Sequence, residues 1–467
     1  MGKLTDQEIL GVSTIPEENR TASVNTFFPI FLGANLSLSV MVFGWLTILY
    51  GLSWWDAVSA IVVGTFIAAF FVSTSSLFGW RTATNNSVSS GAFFGVRGRL
   101  IASFIGLLLC LQYVALTIWS GGETISAGWA RLTNTESSNT TLIVGYLLIA
   151  IFIVLLAIVG YKLILQVNKI IVPAMFLLMT LSIVAFADTF DFNYAGTPEL
   201  YALGSFWPTW ILAALTCGAA GPISYVTQTG DWSRYISESS TSAKNLITKS
   251  FLSLFIGLTV PTIFGAFIGI VAFDENSLAA GYVLNSPEWL LIPLLLIAVI
   301  GSLGQGSINL YSMGLDLDAI APKLTRAQST YLVAGLSTGL VFLGKFVYDA
   351  ESAVTNSVLF LTCMATAWFA VSLTGYIKAK GVISKSDLQV FNQGKQGGKY
   401  WFTAGWNLNA VTAWLLGTTV GFLGVSTEEY QGVLSVNLSS IDVSLPASAI
   451  ISVLVYLALE RIKPSRI

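Results

Sequence analysis

Two stretches of the chain place hydrogen-bonding and helix-weakening residues inside strongly apolar runs. The first is Phe31-Leu32-Gly33-Ala34-Asn35-Leu36-Ser37, with Pro29 before it and Ser39 after it. The second is Gly218-Ala219-Ala220-Gly221-Pro222-Ile223-Ser224-Tyr225. Gly and Pro weaken the helical ladder, and backbone groups freed in an apolar medium have to face protein, water or a ligand. Further polar and aromatic residues stand in neighbouring apolar runs: Gln112, Tyr113, Thr117, Gln228, Gln305, Ser307 and Asn309. The aromatic faces can stack on a flat ring, and the amides and hydroxyls can read its edge. Thr117 lies one turn beyond Tyr113 on the same helical face, so the pair addresses one cavity. Asn309 marks either a helix–helix hydrogen bond or a ligand contact, and the residue alone leaves both open. A bland reading also stands, in which the small residues simply let helices pack closely.

The elements that hold these residues follow from composition. Of 467 residues, 54% are hydrophobic and 10% charged, with a mean hydropathy of +0.76. A soluble domain usually carries about 25% charge, so the solvent for this chain is lipid. A cytosolic enzyme, a nucleic-acid binder and a secreted disulfide scaffold are excluded. Cys110, Cys217 and Cys363 are scattered through apolar runs and read as reduced packing residues; His is absent. The first 25 residues are polar, so no cleavable signal peptide is expected.

A helix needs about 20 apolar residues to cross about 30 Å of hydrocarbon. That ruler predicts an all-α integral membrane protein with twelve spans. The first six cover 27–50, 53–78, 99–129, 141–160, 163–187 and 205–228. The next six cover 246–273, 289–314, 330–348, 353–377, 406–425 and 445–460. With the N-terminus in the cytoplasm, 20 of the 22 Lys and Arg fall on the cytoplasmic side, and only Arg131 and Lys345 fall outside. One missed helix would invert every later loop and destroy this bias. The outer loops are acidic, with Asp188, Asp191, Glu199, Asp274, Glu275, Glu288, Glu428 and Glu429. Both termini are expected in the cytoplasm and the chain in the cell membrane.

The two weak stretches lie five spans apart. An odd offset makes a second five-helix unit enter the membrane from the opposite side, the pattern of inverted repeats whose broken helices bind substrate near the midplane. The expected organisation is a tail over 1–26, five-helix repeats over 27–187 and 205–377, a linker over 378–405, two peripheral helices over 406–460 and a tail over 461–467. No Lys or Arg lies centrally in any span, which favours a neutral substrate, although half-helix N-termini can still receive a carboxylate. An amino-acid or osmolyte symporter is therefore the rival within transport, and an ion channel the rival outside it. An enzyme is not expected, because His, paired Cys and clustered intramembrane carboxylates are missing. For a proton-coupled cycle, Glu123 is the acid placed within a run; its bland reading is a residue near the outer surface.

The chain resembles the nucleobase–cation symporter family, in particular its purine–cytosine permease branch. The resemblance is carried by Gly230-Asp231-Trp232-Ser233-Arg234-Tyr235 and by Asn309-Leu310-Tyr311-Ser312-Met313-Gly314-Leu315. Phe94-Gly95, Tyr400-Trp401 and Gly405-Trp406-Asn407 add to it. It implies a leucine-transporter-like fold of five plus five inverted repeats with two peripheral helices. It also implies uptake of nucleobases or related heterocycles with Na⁺ or H⁺, with no other cofactor. The family's stacking Trp on span three aligns with Tyr113, its following amide with Thr117, its second Trp with Tyr225, and its base-reading Asn with Asn309. Backbone at Asn35 to Ser37 completes the implied substrate set. Sodium-coupled relatives face carbonyls of the first break with hydroxyls on span eight. The aligned candidate set here is Gly33, Leu36, Gly304, Gln305 and Ser307, with Ser302 nearby. Asp231 and Arg234 are implied to be a gating or structural ion pair. An Arg common before the Phe-Gly is Gly91 here, and two Trp-to-Tyr changes add hydroxyls, so a more polar ring than cytosine also fits.

Overall fold

The computed structural model describes residues 11–159, 161–274, 277–321, 324, 326–346 and 350–465. Lys3, Glu275, Lys323 and Arg466 of the charge map lie outside the described residues, as do the side chains of Lys162 and Arg326.

Among the described residues, ten helices are long and apolar enough to cross a bilayer. They are Trp54–Thr82, Leu100–Thr133, Asn139–Ile158, Leu163–Ala185, Phe206–Ser233, Ala243–Val271, Glu288–Ile320, Gln328–Phe346, Ser357–Lys378 and Ser444–Ile462. Ahead of them Val24–Asn35 and Leu38–Leu49 form a pair bent by 64°. The 16-residue helix Leu408–Leu423 precedes the last. In chain order these segments occupy the places of the twelve expected spans, and they are numbered so below. A helix closes its backbone hydrogen bonds within itself, which is why apolar runs of this length fold this way in lipid. Among the described residues β-pairing is limited to isolated bridges.

Burial separates core from periphery. In span six 78% of the apolar window is buried inside the protein, against 33% in spans four and five, so span six is wrapped by its neighbours and the other two face lipid. The second half of span one packs on span seven through a reciprocal glycine contact. A Cβ on Gly44 would overlap the Thr262 carbonyl, and one on Gly265 would overlap the Met41 carbonyl.

One boundary is corrected, and two segments outside the spans prove to be packed. Span eight continues past 314 to Ile320, which places Asp316 inside the helix. The described part of the N-terminal tail packs on the bundle as a strap. Buried Arg20 donates to the carbonyls of Trp80 (2.5 Å), Ile236 (2.6 Å) and Arg234 (3.1 Å). Ile15 N donates to Ala83 O at 2.8 Å and Ala22 N to Tyr235 O at 3.0 Å. A guanidinium at these chain ends satisfies carbonyls that have no helical partner left. A hydrogen bond from Ser237, outweighing desolvation, and the Arg20 charge hold the Glu17 carboxyl in the same strap below its usual range. Finally, the 378–405 linker is docked: Val96 N donates to Tyr400 O at 3.1 Å and Arg97 N to Gly405 O at 2.8 Å.

The strap, the linker and Arg81, Arg97, Arg99 and Arg234 gather at one end of the bundle, called the basic end below. Both exceptions to the charge bias sit at the opposite, acidic end. Lys345 pairs with Glu123 at 2.6 Å, and Ser277 Oγ donates to the other Glu123 oxygen at 2.6 Å. Arg131 donates to the Val283 carbonyl and to Ser286 Oγ at 2.9 Å. Arg131 and the Ser277–Glu123 bond thereby staple the short helix Leu278–Asn285 to span three, and Lys345 ties span nine to the same carboxylate, around a cavity of about 720 Å³ that Glu123, Arg131 and Lys345 line. Glu123 is thus an ion-pair partner at the acidic end of its span.

Candidate substrate site

The first break is sharp and local. The helix Phe27–Asn35 ends on Leu36, and Ser37 is extended (φ −144°, ψ 155°) before Leu38–Leu49 begins. Ser37 N turns back to Asn35 O at 2.8 Å. The carbonyls of Gly33 and Leu36 then face span eight. A Cβ on Gly304 would overlap Gly33 O, and one on Gly301 would lie 2.9 Å from Leu36 O.

Span six is milder than expected. It does not unwind at Gly221 but passes through a π-helical turn at Ala214–Ala219 and a short helix at Ala220–Ser224. It opens into turns at 225–228 before Thr229–Ser233 resumes. Pro222 has no N–H to offer the carbonyl four residues earlier. That carbonyl, Gly218 O, instead accepts the Thr65 hydroxyl of span two at 3.1 Å. A neighbouring helix supplies the missing donor, and the break is absorbed without unwinding.

The six residues of the implied substrate set come together from spans one, three, six and eight. Tyr225 Oη donates to Asn35 Oδ1 at 2.9 Å, while Asn35 Nδ2 donates to Phe31 O at 2.6 Å. The Ser37 and Ser39 hydroxyls both donate to Gln305 Oε1. Ser39 Oγ also meets Thr117 Oγ1 at 3.3 Å, and Thr117 donates to Tyr113 O at 2.6 Å. Asn309 Nδ2 donates to Gln305 O at 3.1 Å, and Asn309 Oδ1 receives Gln228 Nε2 at 3.5 Å. Tyr113 lies buried against Phe43, ring centroids 6.1 Å apart, with its hydroxyl unpartnered. Tyr225 packs edge-on to Phe31 at 5.2 Å. The side chains in this group are amides, hydroxyls and aromatic rings: a neutral, hydrogen-bonding pocket wall.

The candidate sodium set is placed differently from a cage of hydroxyls. Gly304 and Gly301 bring no side-chain oxygen to the Gly33 and Leu36 carbonyls. Gln305 Oε1 is taken by the two serines. The Ser307 hydroxyl turns back on its own helix, to Leu303 O at 2.5 Å and Gly304 O at 3.3 Å. Asn168 of span five, which sequence reading passed over, fills this spot: its Oδ1 lies 2.5 Å from where a Cβ on Gly33 would stand. Arg234 donates to Gly11 O at 2.6 Å and Tyr311 Oη at 3.0 Å, linking strap, span six and span eight at the basic end. Asp231 is buried one turn before it. Asp316 and Arg20 also went unread, the first because hydropathy ended span eight too early, the second because a lone Arg in a polar tail carries no local signal.

A family model described as "Permease for cytosine/purines, uracil, thiamine, allantoin" matches residues 14–444. The chain belongs to this family. The permease is 25% identical over 384 residues to the putative purine-cytosine permease YxlA of Bacillus subtilis (strain 168), covering 78% of each chain. Its fold matches Mhp1, a nucleobase-cation-symport-1 family transporter, in a closed conformation with bromovinylhydantoin bound. That match has a TM-score of 0.78 at 16% identity, over 97% of this chain and 95% of that one. The inward-facing conformation of Mhp1 gives 0.73 at 16% identity, over 98% and 96%. A Na⁺-coupled sialic acid symporter in an outward-open state gives 0.58 at 12% identity, over 98% and 93%. The permease is accordingly a multi-pass membrane transporter, not an enzyme, with the all-helical fold of these transporters.

Proposed function

We propose that this permease carries a neutral flat heterocycle, a nucleobase or a related ring, into the cell with a coupling cation by alternating access. One observation carries the reading. Side chains from spans one, three, six and eight converge on the first break, and all of them are uncharged amides, hydroxyls or aromatic rings. Such a wall matches a ring that offers donors and acceptors at its edge and π-faces above and below. A carboxylate or quaternary amine would call for a fixed charge or free helix N-terminus. Cytosine and purines, the ligands after which the family and the Bacillus relative are described, belong to the same ligand class.

Tyr113 and Tyr225 supply ring faces, and Asn309, Thr117, Asn35 and Ser37 read the edge. Rearrangement of the repeats exchanges these internal hydrogen bonds for bonds to substrate. The basic end faces the cytoplasm, following the charge bias, and Asp231 and Arg234 belong to the gate on that side. The test is uptake of radiolabelled cytosine, adenine, uracil, allantoin and thiamine into cells expressing the protein. Saturable uptake of one or more, reduced about tenfold or more by Asn309→Ala or Tyr225→Ala, is the expected result. Unimpaired uptake by both variants would remove the site; conductance without saturable uptake would remove the transporter.

A further inference from the structure

We propose that the coupling cation is a proton and that it rides on Asp316, on the buried seam of spans three and eight between the substrate site and the basic end. This rests on the transport reading above and adds to it the identity and seat of the ion.

Asp316 is 3% exposed. Ser87 Oγ donates to its Oδ1 at 2.7 Å. Its Oδ2 lies against the backbone of Gly106 on span three: a Cβ there would overlap that oxygen and stand 3.2 Å from Thr227 Oγ1. Among the described residues no Lys or Arg forms an ion pair with it. An intramembrane carboxyl without a cation is expensive to keep, and such groups mark ion and proton pathways.

The surroundings point to a mobile proton rather than to a structural contact. The hydroxyls of Thr227, Ser103 and Ser312 are buried and have no hydrogen-bond partner. Ser103 lies one turn before Gly106, and Ser312 one turn before Asp316, so these groups share the seam between spans three and eight. Buried polar atoms are ordinarily satisfied, and hydroxyls, which both donate and accept, suit a relay. The ionisable neighbours on the packed elements are Asp231 of span six and Cys110 of span three. The Arg234 guanidinium is directed to Gly11 O and Tyr311 Oη. A tightly filled seam with one carboxyl suits a proton, which needs no coordination shell. The carbonyls of the first break, meanwhile, face glycines and the Asn168 amide instead of hydroxyls.

Gln228 stands between this seam and the substrate site. Gln228 Nε2 reaches Cys110 Sγ at 3.2 Å and Asn309 Oδ1 at 3.5 Å, and Thr227 precedes it directly. Asn309, Ser312 and Asp316 follow one another on one face of span eight. In the cycle, one proton from the outer solution binds the Asp316 carboxylate, giving a neutral carboxyl. The same proton leaves to water when the basic end opens. No other bond is made or broken.

The test uses full-length protein in liposomes, a radiolabelled pool of cytosine, adenine, uracil, allantoin and thiamine, and a trapped pH dye. An acid-outside gradient is expected to drive accumulation and luminal acidification in the wild type, with a Na⁺ gradient alone driving neither. Asp316→Asn is expected to lose gradient-driven accumulation by about tenfold or more while keeping counterflow exchange at equal pH within about threefold. Asp316→Glu is expected to restore accumulation. Ser87→Ala, a milder change that removes the donor to the carboxylate, is expected to move the pH of half-maximal accumulation upward. Accumulation in Asp316→Asn that still follows the pH gradient, an unmoved pH profile in Ser87→Ala, or Na⁺-driven wild-type accumulation would each overturn the proposal. Absence of any wild-type uptake or counterflow would instead overturn the transport reading beneath it.

Discussion

Tyr225 and Asn35 hold each other across the centre of the molecule: the phenol donates a 2.9 Å hydrogen bond to the amide oxygen of the last residue before span one breaks. The bond ties the irregular parts of two spans together, so any rearrangement of the repeats carries it along or exchanges it for a bond to substrate. Tyr225→Phe keeps the ring against Phe31 and removes only the hydroxyl. A net hydrogen bond is worth about 0.5–1.5 kcal/mol, so uptake assays are expected to show KM changed by roughly two- to tenfold, with Tm nearly unchanged. Tyr225→Ala, which also removes the ring, is expected to do far more damage.

Gln305 is the hub that the two span-one serines share. Gln305→Leu would leave the Ser37 and Ser39 hydroxyls with only each other at 2.8 Å and Thr117 at 3.3 Å, at a cost of up to about 1–3 kcal/mol for the lost acceptor. Thermal unfolding is expected at lower temperature than in the wild type, and Gln305→Glu, which keeps an acceptor at the same place, is expected to lose less. Equal stability of Gln305→Leu and wild type would show that the hub is not formed.

The staple at the acidic end is half open to water, since the Lys345 side chain is 34% exposed. The Glu123 side chain is only 6% exposed, so Lys345→Met leaves its carboxylate with Ser277 as the remaining donor and is expected to cost more than the roughly 0–1 kcal/mol of an exposed pair. Its effect is expected on the outer helix Leu278–Asn285, where amide hydrogen exchange should quicken relative to the other helices. Unchanged protection there would mean that Ser277 and Arg131 suffice to hold it.

Gly44 leaves no room for a side chain, because its Cβ would overlap the Thr262 carbonyl of span seven. Backbone cannot swing aside as a flexible side chain can, and overpacking commonly costs about 1–3 kcal/mol. Gly44→Val is expected to fall to a small fraction of wild-type folded yield by size-exclusion chromatography, whereas Gly335→Ala, with open space around its Cβ position, is expected to be neutral.

Asp442, in the turn before span twelve, accepts from Ser426 N at 2.7 Å and Ser444 N at 2.8 Å. Burial outweighs these bonds and pushes its carboxyl up to about 6. The folded state therefore holds a proton that an unfolded Asp, near pKa 3.9, has already lost. The stabilising contribution is fully present below about pH 4 and is lost as pH rises through about 6. The slope between is about 1.4 kcal/mol per pH unit at most. Unfolding measured from pH 4 to 7 is expected to show that fall, and Asp442→Asn is expected to flatten it.

Much of the architecture was legible because hydropathy and charge are properties of consecutive residues. The order of the spans and the break after Asn35 follow from runs of apolar side chains and from Gly33, Asn35 and Ser37 inside one of them. Legibility failed where a local signal was overridden or absent. Gly221 and Pro222 announce an unwound helix, yet Thr65 caps the freed Gly218 carbonyl and the helix continues. Asp316 lowers the hydropathy at the end of span eight, so the run appears to stop before a residue that the helix in fact buries. Arg20 sits in a polar tail and is buried only because the ends of spans two and six offer it three carbonyls.

By itself, the amino-acid sequence determined that this chain lives in lipid as a set of helices, which end carries positive charge, and that uncharged polar residues stand within four of the spans. The tertiary structure alone decided the partners: Tyr225 with Asn35, the two serines with Gln305, Glu123 with Lys345, and Asp316 with Ser87. The physical reason is range. Hydrophobic transfer and helical periodicity act over a few residues and are written into each segment, whereas a hydrogen bond is satisfied by whichever group packing brings within about 3 Å, and residues two hundred positions apart meet only when the whole bundle has closed.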